Sequence, residues 1–263
     1  MLVQHRYVSR VRTLLLAGLM SAALPQLPWS PPTQTLVMRG RTQHVYVYGS
    51  PSAEPVIVSS GDGGWIHLGP QVAEFLGAHG YYVVGFDAKA YLESFTSAKS
   101  TLQTADVAAD YRTLVAFAAK GTGRKPLLIG VSEGAGLSLL AAGDAQVQPA
   151  VSGVIVLGLP ERCELAWRWK DAVIYMTHRA PDEPGFNSAD VIGRVSPLPV
   201  AAIHSTNDEF VPVPAIQQIM SRAREPKQLW IVKASNHRFS DNVAEFNARL
   251  LEAMTWVKGH TPP

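Results

Sequence analysis

The chain has one cysteine in 263 residues, only 17% charged residues, and no apolar run long enough to cross a bilayer. A lone Cys163 excludes an intramolecular disulfide, so the fold must stand on its core, and a small buried hydrophobe is the ordinary role for such a thiol. Charge is nearly balanced as well as scarce, with 23 Lys and Arg against 21 Asp and Glu. Three of the basic residues, Arg6, Arg10 and Arg12, fall in the first 23 positions, which hold no acid; the remainder carries 20 basic residues against 21 acidic ones. Nothing there makes a basic face for nucleic acid. No His, Cys or carboxylate spacing resembles a metal site. Gly121-Thr122-Gly123 lacks the third glycine and the following helix of a dinucleotide fingerprint, and there is no P-loop, so neither a cofactor nor a metal is implied. What the chain does have is apolar material, 47% of its residues, which excludes disorder, coiled coil and collagen.

The apolar run Leu14–Leu24 is 11 residues, against the roughly 20 needed to span hydrocarbon. Preceded by arginines and ending on Ser21-Ala22-Ala23, residues 1–23 have the three parts of a secretory signal peptide, which points to the periplasm, with secretion as second choice. Residues 24–34, with Pro25, Pro28, Pro31 and Pro32, read as an extended spacer, and 35–260 as a single folded domain.

Within that domain short β-branched runs alternate with helical periods. Strands are expected at Thr35–Met38, His44–Tyr48, Pro55–Ser59, Tyr82–Phe86, Pro126–Val131, Val154–Leu157, Val200–His204 and Gln228–Val232. Continuous runs such as Leu127-Leu128-Ile129 suit strands covered by helices on both faces. Val107, Tyr111, Leu114, Val115 and Ala118 form one helical stripe after Thr104, and Val243, Phe246, Leu250, Met254 and Val257 another. The fold class is therefore α/β, a mostly parallel sheet of about eight strands, with the first two joined at Gly40-Arg41 as an antiparallel hairpin. Residues 161–197 break the rhythm; a connection this long is expected to cover a site as a lid.

Strand 127–131 runs into Gly130-Val131-Ser132-Glu133-Gly134 and then a helical stretch, the G-x-S-x-G turn that presents one serine hydroxyl above a sheet. A serine needs a base, and the base an orienting acid. In this architecture both follow the serine on loops after the last strands. Asp208 comes after strand 200–204, with Glu209 as the fallback acid, and His237 comes after strand 228–232. The oxyanion needs preorganised N–H donors. Glu133 supplies one; the loop Ser60-Gly61-Asp62-Gly63-Gly64-Trp65 supplies the other, from Asp62 or Gly63. Gly63 and Trp65 are candidates for substrate contact. His67, His79, His204 and His260 lack such a setting and read as packing or surface residues.

The loop at 60–65, Gly85-Phe86-Asp87, the Ser132 turn, the Asp208 loop and His237-Arg238-Phe239 together resemble the VirJ/AcvB family of exported bacterial virulence proteins, over roughly residues 35–258. The resemblance implies an α/β-hydrolase fold in the periplasm. It also implies either hydrolysis of aminoacyl-phosphatidylglycerol, which releases lysine or alanine, or a partnership with a type IV secretion system. The elbow departs from the family pattern, with Glu133 for an aromatic residue and Gly136 for an aspartate. Asp62 and Glu133 could place two carboxylates beside the oxyanion, suiting an ammonium on the acyl group, unless both turn to solvent. Three functions stand as expectations: that lipid hydrolase, in contact with a membrane surface; a general carboxylesterase or thioesterase for small or medium acyl groups; and a non-catalytic secretion partner.

Overall fold

The computed structural model describes residues 31–170 and 183–262. The leader, the first part of the spacer and the middle of the expected lid lie outside the described residues. The fold begins at Thr33, inside the expected spacer, because β1 (Thr33–Met38) pairs along its whole length with β2 (Arg41–Tyr48). The turn between them, Arg39-Gly40, is left-handed at both residues, as a tight hairpin requires.

The main sheet adds β3 (Glu54–Ser59), β4 (Tyr81–Phe86), β5 (Leu127–Val131), β6 (Val154–Leu157), β9 (Val200–Ser205) and β10 (Lys227–Val232). Its spatial order is β1-β2-β4-β3-β5-β6-β9-β10. β1/β2 and β2/β4 are antiparallel and every other pair is parallel. The eight expected strands are all present. A ninth and tenth were missed: β7 (Arg162–Glu164) and β8 (Gly185–Asn187) form a separate antiparallel ribbon inside the segment read as a lid.

β5 and β6 are buried at every residue, which is what helices on both faces demand of a central strand. One face carries α1 (Leu68–Ala78) and α7 (Val243–His260); Phe246, Leu250, Met254 and Val257 of α7 pack there against Val56, Ile129 and Ile155. The other face carries α2 (Ala88–Phe95), α3 (Thr104–Ala119), α4 (Glu133–Ala142), α5 (Ser188–Val191) and α6 (Val213–Arg222). The α3 stripe is buried as expected, but the helix is capped one residue earlier. Gln103 is the cap, and the Asp106 carboxylate accepts its backbone N–H at 2.8 Å. Each fully buried leucine or isoleucine contributes roughly 1.5–3 kcal/mol, so two such layers hold the central strands rigidly.

Because β3, β5, β6, β9 and β10 run the same way, the loops that follow them all leave at one rim of the sheet. This is the rim where open α/β sheets place ligands.

Candidate active site

Ser132 is the residue between β5 and α4, with φ 51° and ψ −118°, a strained conformation for a residue with a side chain. Its N–H is held by the Leu157 carbonyl at 2.9 Å, and its own carbonyl accepts from Ala135 at 2.8 Å. The turn is tight enough that a Cβ on Gly134 would overlap the carbonyls of Ser59 and Ser60. Gly136 lies against Cys163, whose sulfur occupies the space of a side chain. That gives the buried thiol its place.

His237 sits 7% exposed on the loop after β10, and its Nδ1 lies 2.6 Å from Asp208 Oδ2. Asp208 Oδ1 accepts from the backbone N–H groups of Phe210 and Val211, at 3.0 and 2.9 Å. Burial alone would raise the Asp208 pKa; the His237 imidazole, by hydrogen bond and charge, and the two backbone donors outweigh it and hold it below the ordinary carboxylate value. Glu209 takes a different task, accepting the backbone N–H of His237 at 2.7 Å. His237 Nε2 is buried and has no hydrogen-bond partner among the described residues. Ser132 and His237 line the same cavity, and the imidazole packs against Gly158, where any side chain would collide with it. No hydrogen bond joins the Ser132 hydroxyl to the imidazole among the described residues.

The loop after β3 meets the serine directly. A Cβ on Gly61 would stand 3.3 Å from Ser132 Cβ. The turn is closed by the Gly64 N–H to the Gly61 carbonyl at 3.0 Å and is pinned by Asp87, which accepts the Trp65 N–H at 3.2 Å. Asp62 and Gly63 line the cavity beside Ser132 and Glu133. Glu133 opens α4, so its N–H belongs to the first turn, where no carbonyl within the helix can accept it.

Trp65, a candidate for substrate contact, is placed against the sheet. It is not among the residues lining the cavity. Its ring stacks on Tyr46 at 4.8 Å, covers Gly85, and gives its Nε1–H to Tyr48 Oη at 3.3 Å, so it anchors the loop to the sheet.

The cavity measures about 660 Å³. Its apolar wall includes Leu68, Val131, Trp167 and Phe210, and its cations are Lys89, Arg162 and Arg238. Lys89 Nζ stands 4.2 Å over the Trp167 ring. Glu133 does not turn to solvent: it is 5% exposed, and Oε1 accepts the Glu164 N–H at 2.6 Å. Burial first, then the charges of Glu164 and Asp62, push its pKa well above the ordinary range, against the pull of that hydrogen bond. Of the segment 161–197, Glu161, Arg162, Glu164 and Trp167 line the cavity; residues 171–182 lie outside the described residues.

His204 was read as packing and has a closer bearing on the site. Fully buried at the end of β9, it donates Nε2–H to the Val211 carbonyl at 2.8 Å, and Nε2 is 3.8 Å from Asp208 Oδ2. Burial depresses its pKa, keeping it neutral behind the acid. Among the described residues no cluster of three or more His, Cys, Asp or Glu could hold a metal ion, and no helix is long and apolar enough to cross a membrane.

A serine on a strained elbow, an imidazole bonded to a buried carboxylate, and backbone donors at the mouth of a helix are parts suited to acyl transfer. Solved structures share the scaffold. The α/β hydrolase GrgF from Penicillium sp. sh18 is 15% identical with a TM-score of 0.64, covering 89% of this chain and 99% of that one. A membrane phospholipase A described as a bacterial virulence factor is 12% identical with a TM-score of 0.64, covering 87% of each chain. Est1E from Butyrivibrio proteoclasticus is 15% identical with a TM-score of 0.63, covering 85% of this chain and 97% of that one. These likenesses establish the α/β-hydrolase fold. No curated protein matches the sequence. The profile of the bacterial virulence protein VirJ matches residues 54–257, from β3 through nearly all of α7 and across every residue of the site; the chain belongs to the VirJ family.

Proposed function

We propose that the protein is a serine hydrolase that cleaves a carboxylic ester through an acyl-enzyme. The observation that carries this is His237, with Nδ1 bonded to Asp208 and an Nε2 that has no partner among the described residues, in the cavity that Ser132 also lines. His237 Nε2 takes the Ser132 proton as Oγ attacks the ester carbonyl. Asp208 keeps the imidazole oriented and offsets its charge. The oxyanion is held by the N–H of Glu133 and by one from Asp62 or Gly63. The proton then passes from Nε2 to the departing alkoxide, and water attacks the acyl-enzyme with His237 again as base.

The substrate we propose is aminoacyl-phosphatidylglycerol, with the protein in the periplasm after removal of residues 1–23. Support comes from the acidic side of the cavity, where Asp62, Glu133 and Glu164 suit an ammonium next to the scissile carbonyl, and from the cations Lys89, Arg162 and Arg238, which suit a phosphate. Ile66 at the cavity and Trp169, which follows the cavity residue Trp167 in the chain, are 51% and 84% exposed and offer apolar contact to a lipid surface. A general esterase is the second reading, favoured by the apolar wall. Ser132→Ala decides between a hydrolase and a pure secretion partner. Turnover of a short p-nitrophenyl ester, and loss of aminoacylated lipid from cells overproducing the protein, should both fall on the order of 10³-fold or more. Activity persisting near the parent level overturns the proposal.

A further inference from the structure

Resting on the ester-hydrolase reading, we infer that Glu133 sets which acyl group the site accepts: it keeps a proton when that group is uncharged and releases it to solvent when the group brings a cation. Three observations carry this. Glu133 follows Ser132 directly and opens α4, so its N–H lies in the first turn, where no carbonyl within the helix accepts it. Its carboxyl is buried and, among the described residues, holds a single hydrogen bond, from the Glu164 N–H. Among the described residues the charges that raise its pKa are both negative, Glu164 of β7 and Asp62 of the loop after β3. The other titratable neighbours are the buried thiol of Cys163 on β7 and the buried hydroxyl of Tyr111 on α3, both held neutral. Lys89 of α2, Arg162 of β7, Arg238 and His237 after β10, Glu161 and His67 share the cavity.

An ionised carboxylate at this position opposes the charge that develops on the carbonyl oxygen, so an uncharged acyl group is best cleaved while the proton stays. A fixed cation on the acyl group takes over the proton's role. It is stabilised by the carboxylate, whose proton leaves to buffer; no other bond changes. With a neutral ester, ionisation of Glu133 therefore lowers turnover on the alkaline side. With a cationic ester, the same ionisation raises it.

The test uses two phenyl esters of the same shape, one of N,N,N-trimethylglycine and one of 3,3-dimethylbutanoic acid, which differ by a charge that does not titrate. For the parent protein, kcat/KM should move in opposite directions with pH for the two esters. In Glu133→Gln both dependences should flatten, and the charged-to-neutral ratio at alkaline pH should fall about tenfold or more. Glu164→Gln, which removes one repelling charge, should shift the alkaline limb of the neutral ester to lower pH. Parallel profiles for the two esters, a ratio unchanged in Glu133→Gln, or an unmoved limb in Glu164→Gln would each overturn the inference. If neither ester is cleaved, it is the hydrolase proposal that fails. Glu133 is then judged by calorimetric titration of the trimethylglycine ester in two buffers of different ionisation heat, with Ser132→Ala protein used to exclude turnover. About one proton released per ligand, and none in Ser132→Ala with Glu133→Gln, supports it; no released proton overturns it.

Discussion

Two buried carboxyls flank the nucleophile and behave in opposite ways. Asp208, behind His237, accepts three N–H groups, from Phe210, Val211 and the imidazole, and its pKa falls below the ordinary value. Glu133, in the cavity, accepts one, from Glu164, while two further carboxylates bear on it, and its pKa rises. Burial pushes both in the same direction. What separates them is the number of donors each receives and the sign of the charges around it. One region of the site favours the charged form of its carboxyl and the other disfavours it, a division that suits the proposed orienting acid at the rear and the proposed selective group at the front.

Removing the charge from the rear is the hardest blow to that division. Asp208→Asn keeps the volume but leaves Nδ1–H without a carboxylate and allows the wrong tautomer. We expect kcat for a p-nitrophenyl ester to fall about 10³–10⁴-fold with KM little changed. A loss of only a few fold would show that Asp208 is not the orienting acid.

Stability tests the same contrast without turnover, and the two carboxyls should act on it with opposite sign. The folded pKa of Asp208 lies below its ordinary value of 3.8, so its contribution is present above that value and is lost as pH falls through the folded pKa. Glu133 lies above its ordinary value of 4.5. The unfolded chain therefore ionises first, and the native state loses stability as pH rises from the ordinary value toward the folded pKa. Within that window the loss approaches about 1.4 kcal/mol per pH unit. Chemical denaturation at acidic and neutral pH should therefore show Glu133→Gln gaining on the parent as pH rises. The advantage of the parent over Asp208→Asn should shrink as pH is lowered through the carboxylate range. Parallel curves for Glu133→Gln and the parent would mean that Glu133 ionises in the folded protein as it does in the unfolded chain.

Much of this arrangement is legible from residue order alone, for a physical reason. Strands buried on both faces must be apolar throughout, so the central runs Leu127–Val131 and Val154–Leu157 stand out, and a glycine-flanked serine between the first of them and a helix can hardly be misplaced. Asp208 and His237 follow from chain order once the strands before them are known. What escapes is whatever depends on contacts across the fold. β7 and β8 are three residues each, too short to show a period. Trp65 beside a glycine loop looks like a ligand contact until the register of β2 brings Tyr46 and Tyr48 beneath it. His204 reads as one more apolar-strand residue because its partner, the Val211 carbonyl, is a backbone atom without a sequence signature. Glu133 could have faced solvent or cavity. Only the ribbon that brings Glu164 over it decides.

The smallest effect is expected at a third carboxylate, Glu209, which is exposed and touches the site through one hydrogen bond, to the backbone of His237 at 2.7 Å. Residue order puts Asp208 first as the acid with Glu209 as the fallback; the structure gives the imidazole to the first and the main chain to the second. Glu209→Gln keeps an acceptor for that N–H and should leave kcat within about threefold of the parent, since the charge is exposed and screened by solvent. Glu209→Ala removes the acceptor and should lower kcat by about fivefold, the rate equivalent of a net hydrogen bond of about 1 kcal/mol, with the pH profile unmoved. A loss at Glu209 that matches or exceeds that of Asp208→Asn, with a displaced pH profile, would exchange the two roles. The low-pKa carboxylate behind the imidazole would then be a structural anchor, and the orienting charge would come from the solvent side of the loop.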